Sequence, residues 1–248
     1  MQRSLNKKIA FVTGGSRGIG AAVVRKLARQ GAVVALTFAG SHDKASALVA
    51  EIHAAGGRAL AIQADSGDPA ALQAAIAQVA SEFGRIDILV NSAGLLLRGE
   101  VEDFALEDFN RMFEVNVRAA FVAVQATLPH MAAGSAIVLV GSVVAERAGF
   151  PGSAVYAMTK GALASLTRGL ARDLGPRGIT VSNVQPGPTV TDMSRGGEPE
   201  MAALLTPMMP IGRLGQPEEI ADFVAFLVSE EGRLITGASL TIDGGFLA

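Results

Sequence analysis

The chain has 248 residues, half of them hydrophobic, and carries a formal net charge of −2 at pH 7. A chain of this length can bury a large core, and its mildly acidic balance without a cluster of Lys or Arg argues against nucleic acid as a partner. Because the chain has no cysteine, disulfides, thiolate metal sites and thiol nucleophiles are excluded.

The N-terminal stretch, residues 1–9, is polar and lacks the apolar core of a signal peptide. No apolar run is long enough to cross a membrane, so we expect a cytoplasmic protein without a membrane partner. His42, His53 and His130 are scattered without the spacing of metal ligands. This predicts surface or loop positions for the histidines and no metal site.

Short runs of apolar, often β-branched residues alternate with longer amphipathic stretches. The predicted strands span residues 9–13, 33–38, 59–63, 86–91, 136–140, 180–185 and 239–243, and the predicted helices span 18–30, 44–55, 69–83, 107–132, 154–174 and 217–229. Nearly continuous apolar strands between helices indicate a parallel sheet covered on both faces. We therefore predict an α/β fold, a single doubly wound (Rossmann-type) domain over residues 1–248, with a seven-stranded parallel sheet and ligands at the carboxyl ends of its strands.

The first predicted strand leads through a glycine-rich turn into the first predicted helix. Glycines let backbone amides approach a pyrophosphate closely, and the helix N-terminus adds donors and a favourable dipole. The spacing Gly-x-x-x-Gly-x-Gly predicts a phosphate-binding turn because it lies between a strand and a helix. The alternative is a glycine turn with a purely structural role. The candidate phosphate-binding residues are Gly14, Ser16, Arg17, Gly18, Ile19 and Gly20.

The end of the second predicted strand lacks the acidic residue with which dinucleotide folds hold the 2′-hydroxyl of the adenosine ribose. The sequence there reads Ala39-Gly40-Ser41, and Arg17 stands in the glycine turn. A cation and hydrogen-bond donors without a repelling carboxylate suit a 2′-phosphate. We therefore predict NADP(H) rather than NAD(H), the alternative being that Arg17 points into solvent. A carboxylate introduced at Thr37 is expected to move the preference toward NADH.

Tyr156 is the single tyrosine of the chain, and Lys160 is one of five lysines. A spacing of four residues on a helix places the phenol and the ammonium on one face. A phenol ordinarily holds its proton to a pKa of about 10, and a neighbouring ammonium lowers that pKa. The pair therefore predicts an acid–base site; the alternative is an ordinary core tyrosine beside an exposed lysine.

Residues 186–217 are rich in Gly, Pro and Met and are too numerous for a simple connection. Such methionines suit an adaptable apolar wall over a ligand. We predict that this segment is a substrate-covering loop, the alternative being a poorly ordered surface excursion. Its methionines are Met193, Met201, Met208 and Met209.

Together these motifs resemble the single-domain branch of the short-chain dehydrogenase/reductase family over essentially the whole chain. The resemblance rests on the order and spacing of the glycine turn, Asn91-Ser92-Ala93-Gly94, Asn116, Ser142, Tyr156-x-x-x-Lys160 and Pro186-Gly187.

The resemblance implies that Tyr156 is the general acid in carbonyl reduction. Lys160 would lower its pKa and hold the nicotinamide ribose, and Ser142 would hydrogen-bond the substrate oxygen. Asn116 would belong to a local helical irregularity, in a position where asparagine is a poor helix former. Its backbone carbonyl would hold a water linked to Lys160.

The same resemblance extends the cofactor site beyond the glycine turn. Asp65, with Ser66 beside it, would contact the adenine. Ser92 departs from a second asparagine that is frequent in the family, and Pro188-Thr189 replaces the usual bulky apolar pair. The remaining residues would lie along the cofactor or seat its carboxamide and phosphates: Asn91, Ala93, Gly94, Pro186, Gly187, Thr189 and Thr191.

Within the family, the chain is similar to 3-oxoacyl-[acyl-carrier-protein] reductases and to bacterial carbonyl reductases. Arg172 fits one carrier-docking position, but segment 131–136 carries no Lys or Arg to hold an acidic carrier. Glu146 and Arg147 are expected near the rim of the pocket. The predicted pocket is apolar and consists of Leu95, Leu96, Val143, Val144, Phe150 and Val155.

We therefore favour the NADPH-dependent reduction of a small, largely apolar ketone or aldehyde. The alternatives are reduction of a carrier-linked 3-oxoacyl group and a non-catalytic dinucleotide-binding regulatory protein. The helices at 107–132 and 154–174 carry more small and apolar residues than one buried face requires, and the family uses them in subunit contacts, which together predict a homotetramer. These residues include Ala119, Ala120, Ala123, Ala157, Ala162 and Leu166.

Overall fold

A computed structural model describes residues 5–194 and 196–248. The first residues of the polar N-terminal stretch and residue 195 of the predicted covering loop lie outside this part. The strands are β1 Ile9–Thr13, β2 Val33–Phe38, β3 Arg58–Gln63, β4 Ile88–Asn91, β5 Ala136–Val140, β6 Thr180–Pro186 and β7 Ser239–Ile242.

The seven strands form one parallel sheet in the order β3-β2-β1-β4-β5-β6-β7. The predicted sheet is thereby confirmed, with strand ends shifted by no more than two residues. The order reverses between β1 and β4, where the end of β1 at Thr13 lies opposite the end of β4 at Asn91. Connections to either side of such a switch point leave a crevice at the carboxyl ends of the strands.

The helices cover both faces of this sheet. They are α1 Gly18–Arg29, α2 His42–Ala54, α3 Pro69–Phe83, α4 Leu106–Phe113, α5 Ala119–Thr127, α6 Ala154–Leu174, α7 Pro199–Leu205 and α8 Pro217–Leu227. Alternate residues of a strand point to opposite faces, so Val12 packs in the core beneath α1 and α8, whereas Phe11 packs in the core beneath α3, α5 and α6.

The predicted helix at 107–132 is not continuous. A π-helical segment, Glu114–Arg118, separates α4 from α5, and a short 3-10 segment follows α5. π-Helical turns are rare and concentrate at functional sites. Asn116 lies in the middle of this segment and is fully buried, which confirms the predicted local irregularity.

Segment 186–217 contains α7, which was not predicted. Its N-terminal proline at Pro199 and the run Met201–Leu205 place a short helix against the open end of the sheet. Among the described residues, none of the helices combines the length and apolarity needed to span a bilayer.

The apolar surface of α5 and α6 differs from the prediction. Ala119, Ala120 and Ala123 are buried within their own chain, because α5 packs on the sheet beside α3. The large apolar side chains that these two helices leave exposed are Phe121, at 50%, and Met158, at 47%.

Candidate active site

A cavity of about 470 Å³ lies at the carboxyl ends of the strands, at the switch point of the sheet. It brings together residues from the glycine turn, the ends of β2 through β6, the N-terminal part of α6 and the covering segment. All predicted cofactor residues except Asn91 line it, as do Ser142, Tyr156 and Lys160. Asn116 and Val155 do not line it.

The glycine turn is built for close backbone approach. A Cβ on Gly14, whose φ is +63°, would lie 2.7 Å from the Cα of Ala93, and a Cβ on Gly20 would lie 2.3 Å from the carbonyl oxygen of Gly14. Gly18 also has a positive φ, +53°, at the first residue of α1. These positions require glycine, and they leave the N-terminal amides of α1 facing the cavity, which suits a pyrophosphate.

The end of β2 meets the cavity through Ala39 and Gly40, which are exposed. Thr37 is fully buried; its hydroxyl oxygen accepts a hydrogen bond from the amide of Gly14 at 3.3 Å. Thr37 also lines the cavity, so the predicted effect of a carboxylate there stays a prediction, but the substitution would remove the hydroxyl that holds the amide of Gly14. Ala39 is an exposed position of the lining at which a carboxylate can be introduced without that loss.

The side chain of Asn91 is buried in the sheet and does not line the cavity. Its Oδ1 accepts a hydrogen bond from the hydroxyl of Thr13 at 3.1 Å, and that hydroxyl oxygen accepts from the amides of Ser92 and Ala93 at 3.1 Å each. Asn91 thus holds β1 to β4 and shapes the turn that carries Ser92, Ala93 and Gly94 into the cavity, while its predicted contact with the cofactor stays a prediction.

Asp65 lies beyond the end of β3 and pairs with a residue that the sequence did not suggest. Its Oδ2 accepts a hydrogen bond from Arg111 of α4 at 2.6 Å, and its Oδ1 accepts from the amide of Gly67 at 2.8 Å. Burial raises the pKa of Asp65, but the two hydrogen bonds outweigh burial, and the net pKa is lowered. No sequence pattern signals Arg111, because its partner is remote in the chain.

Ser142 and Tyr156 come together from β5 and α6. Ser142 lies two residues after the end of β5 at Val140 and caps a short 3-10 turn by accepting a hydrogen bond from the amide of Val144 at 3.3 Å. Its hydroxyl also hydrogen-bonds the phenolic oxygen of Tyr156. Two hydroxyls are thus placed together at the wall of the cavity, as the polarisation of a carbonyl oxygen requires.

Lys160 is buried beneath Tyr156 on the same face of α6. Its Nζ lies 5.6 Å from the centroid of the Tyr156 ring and donates a hydrogen bond to the carbonyl oxygen of Val140 at 2.9 Å. Burial lowers the pKa of Lys160 to about 8. The lysine is therefore held at the end of β5 and lines the cavity, where a ribose hydroxyl can reach it.

The pKa of Tyr156 differs from the sequence-based expectation. Burial raises the pKa to about 12, against smaller lowering effects of the Ser142 hydrogen bond and of the positive charge of Arg98. The expected lowering by Lys160 is absent because a lysine with a pKa of about 8 is neutral in the pH range where the phenol ionises. In the cofactor-free protein, therefore, Lys160 does not make Tyr156 more acidic.

Asn116 supports the site from behind the cavity. Its side-chain amide donates to the carbonyl oxygen of Leu95 at 2.8 Å and to the hydroxyl of Thr159 at 3.1 Å, and its Oδ1 accepts from the amide of Leu95 at 2.7 Å. Thr159 adjoins Lys160 on α6. The side chain of Asn116 thus links the loop after β4 to α6. The expectation that its backbone carbonyl holds a water linked to Lys160 stays a prediction.

Five of the six residues predicted for the substrate pocket line the cavity, and we refer to this largely apolar part as its substrate end. Leu95, Leu96, Val143, Val144 and Phe150 line it, together with Met193, Met201, Leu204 and Leu205 of the covering segment.

Two predicted details of the substrate end are different, those of Val155 and of Met208 with Met209, while the rim position of Glu146 and Arg147 stays a prediction. Val155 does not line the cavity, because each helical residue is turned by about 100° from the next and Val155 therefore lies off the face of Tyr156. Met208 and Met209 pack in a separate small cluster with Val143 and Phe246. Glu146 accepts a hydrogen bond from Gln185 at 3.2 Å, while Arg147 is exposed and outside the cavity lining.

An ion pair bridges the mouth of the cofactor end. Lys44 of α2 contacts Asp192 of the covering segment at 2.7 Å. The hydrogen bond from Lys44 lowers the pKa of Asp192, and the charge of Arg17 contributes to the same effect. Arg17 and Asp192 both line the cavity.

Comparison with known proteins identifies related sequences and structures over nearly the whole chain. A family described as enoyl-(acyl carrier protein) reductase matches residues 14–247. The solved short-chain dehydrogenase/reductase of Serratia marcescens is 56% identical, with a TM-score of 0.96, and the match covers 99% of this chain and 100% of the other. A short-chain dehydrogenase of Burkholderia cenocepacia, solved in complex with NADP, is 49% identical with a TM-score of 0.96 and the same coverage.

Two relatives carry names with different functions. The cyclic-di-GMP-binding biofilm dispersal mediator protein of Escherichia coli is 43% identical, and the match covers 96% of this chain and 97% of the relative. The 3-oxoacyl-[acyl-carrier-protein] reductase of Staphylococcus aureus is 39% identical with the same coverage.

Proposed function

This chain belongs to the short-chain dehydrogenase/reductase family, and we propose that it reduces the carbonyl group of a ketone or aldehyde to an alcohol with NADPH. The observation that carries the proposal is the meeting of Ser142, Tyr156 and Lys160 at one wall of a cavity whose other end is a glycine turn. Hydride transfer from a dinucleotide to a carbonyl requires a turn that binds the dinucleotide and side chains that act on the carbonyl oxygen, and this cavity offers both.

The cavity suits NADP(H). The glycine turn offers helix N-terminal amides to a pyrophosphate, and Ala39 and Gly40 leave open space without a carboxylate at the end of β2. A Cβ on Gly40 would meet nothing within 4 Å. Arg17 lines this end and can pair with a 2′-phosphate. NADPH, when bound, supplies the hydride.

The side chains divide the remaining work at the carbonyl oxygen. Tyr156 donates its phenolic proton to the oxygen, and its raised pKa keeps that proton in place at neutral pH. Ser142 donates a hydrogen bond that steadies the developing negative charge. Lys160 holds its position against Val140 and offers Nζ to the ribose hydroxyls.

The test is NADPH consumption with a panel of simple ketones and aldehydes, followed by chiral analysis of the alcohol. Loss of nicotinamide absorbance that depends on both the carbonyl compound and Tyr156 is the expected result. A protein that binds NADPH but consumes none with any member of the panel would contradict the proposal and favour a regulatory role, which the name of the Escherichia coli relative suggests for that protein.

Reduction of a carrier-linked 3-oxoacyl group is the second candidate. The Staphylococcus aureus relative and the description of the matching family support it. Arg172 is exposed at the predicted docking position and agrees with this candidate. Residues 131–136 include no Lys or Arg to bind an acidic carrier, which argues against it. Comparing kcat/KM for the same 3-oxoacyl group attached to acyl carrier protein and attached to a short thiol distinguishes the two candidate functions. A large preference for the carrier form would establish the second candidate.

We also propose a homotetramer in the cytoplasm. Phe121 and Met158, both about half-exposed, give α5 and α6 an apolar surface suited to a second copy. The location is the expectation drawn above from the sequence. Light scattering at micromolar concentration tests the assembly, and a monomer would contradict it.

A further inference from the structure

One charged side chain at the substrate end has no part in the proposed chemistry. Arg98 lies in the loop after β4, is exposed and lines the cavity. Its guanidinium lies 5.7 Å from the centroid of the Phe150 ring. Its charge reaches the reacting tyrosine, because it lowers the pKa of Tyr156. An arginine whose charge acts on the acid–base residue therefore lines a largely apolar part of the cavity.

The backbone that carries Arg98 is fixed on both sides. Leu95 is held by the two hydrogen bonds of Asn116, at 2.7 and 2.8 Å. The amide of Gly99 donates to the carbonyl oxygen of Gly152 at 3.2 Å. A guanidinium on a fixed loop that also lies over an aromatic ring loses less conformational freedom when it binds an anion.

The charge of Arg98 has no protein counter-charge in the described part of the chain. The ion pairs there involve other arginines and lysines, such as Arg111 with Asp65. The other described cation at the substrate end is Lys160, which is buried against Val140. Arg98 is thus available to pair with an anionic group of a bound molecule.

We propose that Arg98 determines specificity by binding the carboxylate of an oxo acid whose ketone carbonyl lies at Ser142 and Tyr156. This rests on the proposed function and names the substrate class for that site. The carbonyl π bond breaks, a C–H bond forms with the hydride that NADPH would supply, and an O–H bond forms as the O–H bond of Tyr156 breaks. The resulting phenolate of Tyr156 regains a proton from solvent. The oxo acid becomes a hydroxy acid and NADPH becomes NADP⁺, while the carboxylate is unchanged.

The test compares 3-oxobutanoate with its methyl ester in the whole protein and in Arg98→Leu, Arg98→Lys and Arg147→Leu. Arg147 is the matched control because it is an exposed arginine near the pocket that does not line the cavity. A lost charge-assisted contact lowers binding by about 10- to 100-fold. We expect kcat/KM for the acid to fall by that factor in Arg98→Leu, to recover in part in Arg98→Lys and to stay unchanged in Arg147→Leu, with little effect on the ester.

An equal loss for acid and ester in Arg98→Leu would overturn the proposal, as would a wild-type preference for the ester. A binding measurement keeps this separate from the proposed function. Calorimetry of the NADP⁺-loaded protein with 3-methylbutanoate and 3-methylbutanamide needs no turnover. Should neither 3-oxobutanoate nor its methyl ester be reduced, tighter binding of the acid that is lost in Arg98→Leu still supports the anion site, and the wider carbonyl panel decides the proposed activity. Equal binding of acid and amide overturns it.

Discussion

The ammonium of Lys160 lies 5.6 Å from the centroid of the Tyr156 ring and donates its hydrogen bond to the carbonyl oxygen of Val140. The two residues share a face of α6, as their spacing of four requires. Burial moves both pKa values toward the neutral forms, to about 12 for the phenol and about 8 for the ammonium. Both side chains are therefore uncharged between about pH 8 and pH 12, a range in which a free tyrosine and a free lysine would each change their protonation state.

The single tyrosine makes this state measurable by ultraviolet absorbance. In the cofactor-free protein we expect phenolate absorbance to develop well above pH 10, since burial raises the pKa of Tyr156 to about 12. Lys160→Met should change this titration little, because Lys160 is already neutral there, whereas Arg98→Leu should raise it further. A titration at or below pH 10 would contradict the electrostatics described above. Bound NADP⁺ should lower the phenol pKa through its positive ring.

Stability should depend on pH through Lys160. Below pH 8 the folded protein carries a buried ammonium at full cost. Between about 8 and the ordinary value of 10.5, the folded state has released this proton while the unfolded state keeps it, so the free energy of unfolding rises with pH. Tyr156 acts in the opposite direction above pH 10. Urea unfolding across this range should show the rise, and Lys160→Met should remove it; an unchanged slope in the variant would argue against the lowered pKa.

Removal of the phenolic hydroxyl should abolish reduction without loss of the cofactor. Tyr156→Phe keeps the ring and is expected to lower kcat by about 10²- to 10⁴-fold, the usual contribution of a positioned acid. Ser142→Ala should lower kcat by about 10²- to 10³-fold. NADPH binding, followed by nicotinamide fluorescence, should change little in either variant. An active Tyr156→Phe enzyme would remove the proposed mechanism.

A carboxylate at Ala39 should shift the cofactor preference toward NADH. Ala39 lines the cavity and is exposed, so the carboxylate would repel a 2′-phosphate without a burial cost. We expect the ratio of kcat/KM for NADPH to that for NADH to fall about 10- to 100-fold in Ala39→Asp. Ala39→Asn is the control of equal size without charge and should retain the ratio. Equal shifts in both variants would show that charge is not the cause.

Asn116 should contribute more to stability than an exposed asparagine of the same helical region. Asn116→Ala removes the partner of partly buried backbone groups of Leu95 and of the buried hydroxyl of Thr159, which we expect to lower the free energy of unfolding by about 1–3 kcal/mol. Asn110→Ala, at an exposed position of α4, should change it by less than about 0.5 kcal/mol. Equal effects of the two substitutions in chemical unfolding would contradict a clamping role for Asn116.

The fold and the elements of the site that depend on local pattern could be predicted from the sequence. Runs such as Ile9–Thr13 predict buried parallel strands because every position is apolar or small enough to be covered on both faces. The glycine turn and the Tyr156–Lys160 spacing predict their geometry because both lie within a few residues of chain. Local spacing also suggested the irregularity at Asn116, since asparagine is a poor helix former.

Only the tertiary structure decided which distant residues meet and how strongly their surroundings change them. The pairing of Asp65 with Arg111 and the support of the glycine turn by Thr37 join positions far apart in the chain. The sequence suggested that Lys160 would lower the pKa of Tyr156, and burial, which no spacing reveals, raises it. Arg98 is one charged loop residue among several until the fold places it beside Phe150 and Tyr156. Periodicity determines local geometry, whereas burial and long-range contact depend on the packed whole.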